Sequence, residues 1–167
     1  VGFRGTMKPS ILFLGGTRFT GKALVELFLE KNYEITIASR KSNNDPKVRS
    51  IVGELPEILS ELKSKKFDFV FDFTTKSVSQ AEYITKNVSF DAYIFISTVW
   101  IDKKFPKDTR LTHIFNLTRQ YILYKQQLEN YFFTKNQQSQ KFFSIRLPIQ
   151  IGANDHTARM AFYRQRV

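Results

Sequence analysis

The sequence predicts a doubly wound α/β fold, in which a parallel sheet carries helices on both faces. Short apolar runs alternate along the chain with longer segments whose apolar residues recur at helical spacing. This order is typical of parallel strands joined by crossover helices. A glycine-rich turn links the first apolar run to the first helical segment. The length of 167 residues suits one domain.

Residues 11–40 predict the strand–helix–strand unit on which the fold is built. Residues 11–14 are four apolar residues in succession, as expected of a strand buried on both faces. Gly15 and Gly16 end this run, Gly21 follows, and apolar residues at helical spacing occupy 23–29 before a second strand at 35–38. Such glycines let a pyrophosphate approach the backbone at a helix N-terminus. The unit therefore predicts dinucleotide binding, with an ordinary tight turn as the alternative.

The later elements keep the alternation. We expect strands at 48–52, 67–73, 92–96 and 141–151, the last interrupted by Pro148. Helices are expected at 55–62, at 78–88 with Ser77 as N-cap, and at 116–133, after a polar loop around 103–110.

Composition excludes several classes of protein. The chain has no cysteine, which rules out disulfides and thiolate chemistry. No apolar run approaches the roughly 20 residues of a membrane span, so we expect no membrane partner and a cytoplasmic location. His113 and His156 are isolated and lack metal-ligand spacing, so we expect no metal site.

The net charge of +11 leaves two interpretations open. Lysine and arginine are spread along the whole chain, with small clusters at 63–66, 103–104 and 159–166. A solvated basic surface is one explanation. An anionic ligand or partner is the other.

The end of the second strand bears on the choice of cofactor. A protein that selects NAD usually places Asp or Glu there, to accept hydrogen bonds from the ribose. This chain has Arg40 and Lys41 instead, which suit the 2′-phosphate of NADP. The sequence therefore favours NADP over NAD, with two solvated bases as the alternative.

Tyr121 and Lys125 form the candidate catalytic pair. Their i, i+4 spacing places both side chains on one face of the expected helix. A nearby ammonium favours the phenolate and so prepares a tyrosine for proton transfer. Thr98 or Ser97, at the end of the fifth strand, can hold a substrate oxygen. Tyr124 is a competing candidate for the tyrosine.

Four stretches in this order resemble the short-chain dehydrogenase/reductases, in particular their extended or atypical branch, the NAD-dependent epimerase/dehydratase family. They are residues 14–21 (LGGTRFTG), 95–98 (FIST), 121–125 (YILYK) and 145–152 (IRLPIQIG). The resemblance implies a Rossmann fold with NAD or NADP as cofactor. It implies that Tyr121 is the acid/base, that Lys125 binds the nicotinamide ribose and tunes Tyr121, and that Thr98 replaces the usual serine.

The resemblance also implies a set of cofactor-binding residues. Glu54 would approach the adenine and Pro148 would lie beside the nicotinamide. The turn around the pyrophosphate would consist of Gly15, Gly16, Thr17, Arg18, Phe19, Thr20 and Gly21.

Two departures from the family pattern shape the expected domain organisation and function. Arg18 replaces the middle glycine of the usual motif, a variant that resembles the subgroup of chloroplast stem-loop-binding proteins. Family members continue well beyond residue 167, so the resemblance implies that the substrate lobe is largely missing. We expect a tag or leader at 1–6, the NAD(P)-binding domain at 7–152 and the start of a substrate region at 153–167.

The resemblance implies an NAD(P)-dependent oxidoreductase that transfers hydride to or from a small-molecule substrate, a nucleotide sugar, and that forms a homodimer. The alternative is a non-catalytic protein of the same fold that binds RNA or senses the cofactor. That alternative draws on the charge of +11, on Arg18 and on the basic tail.

Overall fold

The computed structural model describes residues 8–102, 119–136, 141–148 and 150–152. In these residues strands and helices alternate, except that the third strand follows the second with no helix between them. The strands are β1 (Ser10–Leu14), β2 (Glu34–Ser39), β3 (Val48–Val52), β4 (Lys66–Asp72), β5 (Ser89–Thr98) and β6 (Lys141–Leu147). The helices are α1 (Phe19–Glu30), α2 (Leu55–Leu62), α3 (Val78–Asn87) and α4 (Arg119–Asn136), and a 3₁₀ turn covers Val99–Asp102.

All six strands run parallel in the order β3-β2-β1-β4-β5-β6. This confirms the doubly wound Rossmann arrangement. The order reverses between β1 and β4, because the chain leaves β1 towards β2 on one side and returns to β4 on the other. Ligands of open parallel sheets bind outside the carboxyl ends of the strands at this reversal.

Two apolar cores cover the two faces of the sheet, which confirms the expectation of helices on both sides. The larger core joins one face to α2, α3 and α4 and includes Leu59, Ile84 and Leu128. The other core joins the opposite face to α1 through Val25 and Phe28. Burial on both faces explains why the central strands are almost continuously apolar.

The α1 face is covered unevenly in the described part of the chain. Helix α1 packs over β1, β2 and part of β4, whereas Phe143 and Ile145 on β6 are 53% and 42% exposed. These two residues pair with Ile94 and Ile96 of β5, which belong to the α1-face core. Apolar side chains therefore reach the surface at the β6 edge of this face.

Most predicted elements are confirmed, and the differences lie at element ends. The elements at 48–52 and 55–62 have the expected limits, and Ser77 caps α3 by accepting a hydrogen bond from the N–H of Gln80 at 3.2 Å. The strand at 92–96 was predicted too short, because β5 starts at Ser89. The continuation of the last strand to 151 was wrong: β6 ends at Leu147, just before Pro148, which has no N–H to donate.

The buried side of α1 differs from the expected one. Ala23 and Leu27, which belong to the predicted apolar segment 23–29, are exposed, and Gly21 and Val25 are buried instead. The loop around 103–110, the segments 1–6 and 153–167, and both histidines lie outside the described residues.

Candidate functional site

The glycine turn after β1 has a backbone that only glycine supports without strain. Gly15 and Gly16 have φ values of +78° and +72°, in the left-handed region. A Cβ atom on Gly15 would collide with Cγ2 of Thr74 in the loop after β4. A Cβ atom on Gly21 would collide with the backbone of Gly16. The turn therefore lies at the reversal between β1 and β4 and packs backbone against backbone at the start of α1.

The first turn of α1 offers an anion site. Arg18 is the N-cap residue, but its side chain makes no capping hydrogen bond, and no acidic residue occupies the first helical turn. The guanidinium is exposed and forms no ion pair with the described residues. Free N–H groups, the positive end of the helix dipole and an unpaired guanidinium all favour a bound anion here.

The segment that follows β6 contacts the start of α1. The hydroxyl of Thr20 donates a hydrogen bond to Oε1 of Gln150. Gly152 lies beside the ring of Phe19, a non-glycine residue with a φ of +43°. Because β4 and β5 separate β6 from β1, this segment must cross the carboxyl ends of both strands. Pro148, at the beginning of the segment, is exposed.

Arg40, Lys41 and Glu54 lie at the carboxyl ends of β2 and β3. The two basic side chains are exposed and have no acidic partner in the described part of the chain. Glu54 caps α2 through a capping box, in which its carboxylate accepts from the N–H of Glu57 and its own N–H donates to the Glu57 carboxylate. Its side chain is therefore held at the helix start.

Tyr121 and Lys125 lie on the same face of α4, as predicted. The Lys125 ammonium is 5.9 Å from the centroid of the Tyr121 ring and 5.6 Å from that of Tyr124. It donates a hydrogen bond of 2.5 Å to the backbone carbonyl of Ile96 on β5 and lies 4.3 Å from the centroid of Phe95. Lys125 is thus 4% exposed and directed towards the sheet.

Burial shapes the acid–base properties of this cluster. Burial lowers the pKa of Lys125 from 10.5 to about 8, while the charges of Asp72 and Glu129 act in the opposite direction. Burial also raises the pKa of Tyr124 above its usual 10.0, and nearby Tyr121 adds to the effect. Tyr124 is therefore a weaker acid than a solvated tyrosine and a poor choice for proton transfer near neutral pH.

The two hydroxyls at the end of β5 are both buried. Thr98 is 5% exposed, and its Oγ1 accepts a hydrogen bond from the N–H of Trp100 at 3.4 Å. Ser97 faces the opposite side of the strand, where Glu129 lies, and its hydroxyl makes no hydrogen bond with the described residues. Both hydroxyls therefore stay candidates for binding a substrate oxygen.

The sequence analysis missed Asp72, a fully buried carboxylate at the end of β4. One carboxylate oxygen accepts from the N–H groups of Thr74 and Thr75 at 2.9 and 3.0 Å. The other accepts from the hydroxyl of Tyr93 at 2.7 Å. The signal in the sequence was a second acidic residue, after Asp68, in a predicted strand segment whose other residues are apolar.

The predicted residues follow one another along the carboxyl edge of the sheet. From β3 to β6 the order is Glu54, then Arg40 and Lys41, then the glycine turn, then Thr98 with Tyr121 and Lys125, and last Pro148. Strands lie about 4.8 Å apart, so the turn after β1 is about 10 Å from the end of β5. This row suits an elongated ligand with its anionic centre at the glycine turn.

The described residues show neither a metal-binding cluster nor a membrane-spanning helix. No group of three or more His, Cys, Asp or Glu side chains is arranged to hold a metal ion within them. None of the helices they form is both long enough and apolar enough to cross a membrane.

Sequence comparison provides no relatives, whereas structure comparison provides many. The sequence matches no protein-family model and no curated protein sequence. A UDP-glucuronic acid 4-epimerase from Bacillus cereus, solved with NAD, is similar with a TM-score of 0.71 and 15% identity, over 93% of this chain and 60% of that one. The enzyme WbmH from Bordetella bronchiseptica, solved with NAD+, is similar with a TM-score of 0.67 and 13% identity, over 95% of this chain and 62% of that one.

A wide-type short-chain dehydrogenase/reductase from Veillonella parvula, solved with NADP, is similar with a TM-score of 0.59 and 18% identity, over 84% of this chain and 69% of that one. The chain thus spans between 60% and 69% of the length of these three proteins. At such identities the likeness concerns the fold. The chain has the Rossmann fold of the short-chain dehydrogenase/reductases and NAD-dependent epimerases.

Proposed function

We propose that the chain binds NAD or NADP along the carboxyl edge of its sheet and belongs to an oxidoreductase or epimerase that acts on a nucleotide sugar. One observation carries the proposal: the glycine turn, with its left-handed backbone, and the N-terminus of α1, whose N-cap side chain makes no hydrogen bond, meet at the strand reversal between the neighbouring strands β1 and β4. The site fits the pyrophosphate of a dinucleotide, because Gly15, Gly16 and Gly21 carry no side chain that would keep a phosphate from the backbone, and the start of α1 adds the positive end of the helix dipole.

The two halves of the dinucleotide extend in opposite directions from this turn. We assign the adenosine half to the ends of β2 and β3, where Arg40 and Lys41 suit a 2′-phosphate and favour NADP. Gly53 and Glu54 lie beside the adenine in this arrangement. Arg18 supplies a charge next to the pyrophosphate. The nicotinamide half then lies towards β5, with Pro148 at its side.

The chemistry assigned to the chain is proton transfer. A bound nicotinamide supplies hydride transfer. Tyr121 gives a proton to the substrate oxygen, or takes one from it, and Thr98 holds that oxygen with its hydroxyl. Lys125 has three donors, of which Ile96 takes one. The other two are free to bind ribose hydroxyls, and the positive charge favours the Tyr121 phenolate.

The substrate class is proposed from the named neighbours. Two of the similar structures are described as a UDP-galactose 4-epimerase and a UDP-glucuronic acid 4-epimerase. We extend their substrate class, a nucleotide sugar, to the protein of which this chain is part or whole. The identity of the sugar is not part of the proposal.

A tyrosine comparison tests the proposed activity. The chain is incubated with NAD+ or NADP+ and a panel of UDP-sugars, and both cofactor reduction and epimer formation are measured. Tyr121→Phe is expected to abolish turnover and to leave cofactor affinity nearly unchanged. Tyr124→Phe is the matched control, because the two rings pack edge to face with centroids 5.3 Å apart. Equal activity in wild type and Tyr121→Phe would remove Tyr121 from the mechanism.

The same experiment addresses the alternative of a non-catalytic protein. If the wild-type chain binds cofactor but converts none of the sugars, cofactor sensing becomes the better explanation. RNA binding is tested by titration at increasing salt, because phosphate contacts make affinity fall steeply with ionic strength. If no RNA binds even at low salt, that form of the alternative is excluded.

A further inference from the structure

Asp72 and Lys125 are both buried, and both lie on the side of the sheet that faces α4. Asp72 has no exposed surface and Lys125 is 4% exposed. Among the described residues, neither forms an ion pair within 4 Å with any side chain. Buried charges are costly unless another charge or several hydrogen bonds compensate them.

Strand register places Asp72 beside Phe95, whose ring the Lys125 ammonium contacts. Asp72 on β4 pairs with Phe95 on β5, and the Lys125 ammonium lies 4.3 Å from the centroid of the Phe95 ring. The Asp72 carboxylate is held on this side by the hydroxyl of Tyr93, two residues before Phe95 on the same face of β5. Adjacent strands are about 4.8 Å apart, so the carboxylate and the ammonium share one water-poor region.

The other charged or titratable groups near Lys125 either have hydrogen-bond partners of their own or are neutral. Glu129, one turn along α4, accepts two hydrogen bonds from Arg146, at 3.0 Å on Oε1 and 2.6 Å on Oε2, and one from Ser144. Tyr121 and Tyr124 on α4 face the ammonium with their rings. Burial and the charge of Asp72 keep Tyr93 on β5 in its neutral form.

We propose that Asp72 is the counter-charge of Lys125 and that it holds the ammonium in its protonated form beneath Tyr121. Asp72 is thus a positioning residue, which acts through Lys125 and touches neither cofactor nor substrate. The role of the Lys125 ammonium in favouring the Tyr121 phenolate rests on the function proposed above. The charge pairing itself is a property of the free chain.

The physical reason is that burial and the carboxylate oppose each other. Burial alone favours neutral Lys125, whereas the negative charge of Asp72 raises its pKa. Opposite charges a few ångströms apart typically move a pKa by one to three pH units. Loss of the Asp72 charge would therefore leave about half or more of Lys125 neutral near pH 7, without the charge that favours a Tyr121 phenolate.

The test is an NMR titration of the chain labelled with ¹³C at lysine Cε, in which Lys125→Met assigns the Lys125 signal. The wild-type signal is expected to titrate at about pH 8. In Asp72→Asn the midpoint is expected to fall by about one pH unit or more. Asparagine is a suitable replacement, because its carbonyl oxygen still accepts from Thr74 and Thr75 and its amide can donate to Tyr93.

Two control variants separate charge from packing. Tyr93→Phe keeps the carboxylate and removes its hydrogen bond, and Glu129→Gln removes the other carboxylate near Lys125. Both are expected to shift the midpoint far less than Asp72→Asn does. An unchanged midpoint in Asp72→Asn, or an equal shift in Glu129→Gln, would overturn the proposal.

A double variant covers the case in which Asp72→Asn does not fold. Asp72→Leu with Tyr93→Phe removes the carboxylate together with the hydroxyl that donates to it, so the hydroxyl is not left buried without an acceptor. The Lys125 midpoint is expected to fall in this variant as in Asp72→Asn, and an unchanged midpoint would overturn the pairing. Failure of the chain to bind NADPH or NADH, with the Lys125 shift present, would contradict the proposed function and leave the pairing intact.

Discussion

The ammonium of Lys125 donates a 2.5 Å hydrogen bond to the carbonyl of Ile96, two residues before Thr98 at the end of β5. This bond holds α4 against the strand that carries Thr98, the hydroxyl proposed to bind the substrate oxygen. It also removes a cation from water, since Lys125 is 4% exposed. A pKa lowered from 10.5 to about 8 corresponds to about 3 kcal/mol of stability lost at neutral pH.

The buried lysine predicts that stability rises with pH. Between pH 8 and pH 10.5 the unfolded chain keeps the lysine proton and the folded chain has lost it, so the free energy of unfolding increases with pH. We expect a gain of about 2 kcal/mol between pH 7 and pH 9.5, measured by urea unfolding. Lys125→Met should abolish this gain, and Lys22→Met, on the exposed face of α1, should retain it. A wild-type chain with equal stability at both pH values would contradict the prediction.

Gly21→Ala is expected to destabilise the chain although the position is helical. Alanine normally stabilises a helix by up to about 1 kcal/mol relative to glycine. Here the added methyl group would collide with the backbone of Gly16, so we expect a loss of about 2 kcal/mol in thermal or urea unfolding. Gly152→Ala is the control, because its Cβ would lie 3.7 Å from Phe19, an ordinary contact. A stabilised Gly21→Ala chain would show that the turn is packed differently.

The lowered pKa of Glu129 predicts how the stability of the chain changes in acid. Burial alone would raise the pKa of Glu129, but hydrogen bonds from Arg146 and Ser144, together with the charge of Arg146, hold it below the usual 4.5. This contribution to stability is therefore complete above pH 4.5 and is lost as the pH falls through the lowered value. Glu129→Gln should flatten this part of the stability profile. Asp91→Asn, in an exposed pair with Lys66, should leave the profile nearly unchanged.

The two bases after β2 predict cofactor preference. Replacement of both Arg40 and Lys41 by alanine is expected to weaken NADPH binding about tenfold and to leave NADH binding nearly unchanged, because only NADPH carries the 2′-phosphate. Lys31→Ala, at the opposite edge of the sheet, is the control for a general change of charge. Equal losses of affinity for NADPH and NADH would mean that these bases do not bind the 2′-phosphate.

The fold could be predicted because its signals are local. The strands predicted at 11–14, 35–38 and 48–52 fall within β1, β2 and β3, and Ser77 marks the start of α3 through ordinary capping chemistry. The i, i+4 spacing of Tyr121 and Lys125 fixed a common helix face in the same way. Each of these expectations depends on residues that are close in the chain.

The features that the sequence did not predict depend on contacts between residues that are distant in the chain. Asp72 is a buried counter-charge only because β4 lies beside β5, and nothing in residues 66–72 indicates which strand is the neighbour. The inward direction of Lys125 depends on the Ile96 carbonyl, 29 residues away. The contact between Thr20 and Gln150 spans 130 residues. Local patterns carry no information about such pairings.

The central claim is that the glycine turn binds a nicotinamide dinucleotide, and calorimetric titration of the purified chain with NADPH and with NADH tests it most directly. We predict micromolar binding of at least one cofactor, weakened in Gly15→Ala, whose methyl group would occupy the turn beside Thr74. Circular dichroism confirms that each titrated chain is folded. Absence of binding to either cofactor by a folded wild-type chain would contradict the account.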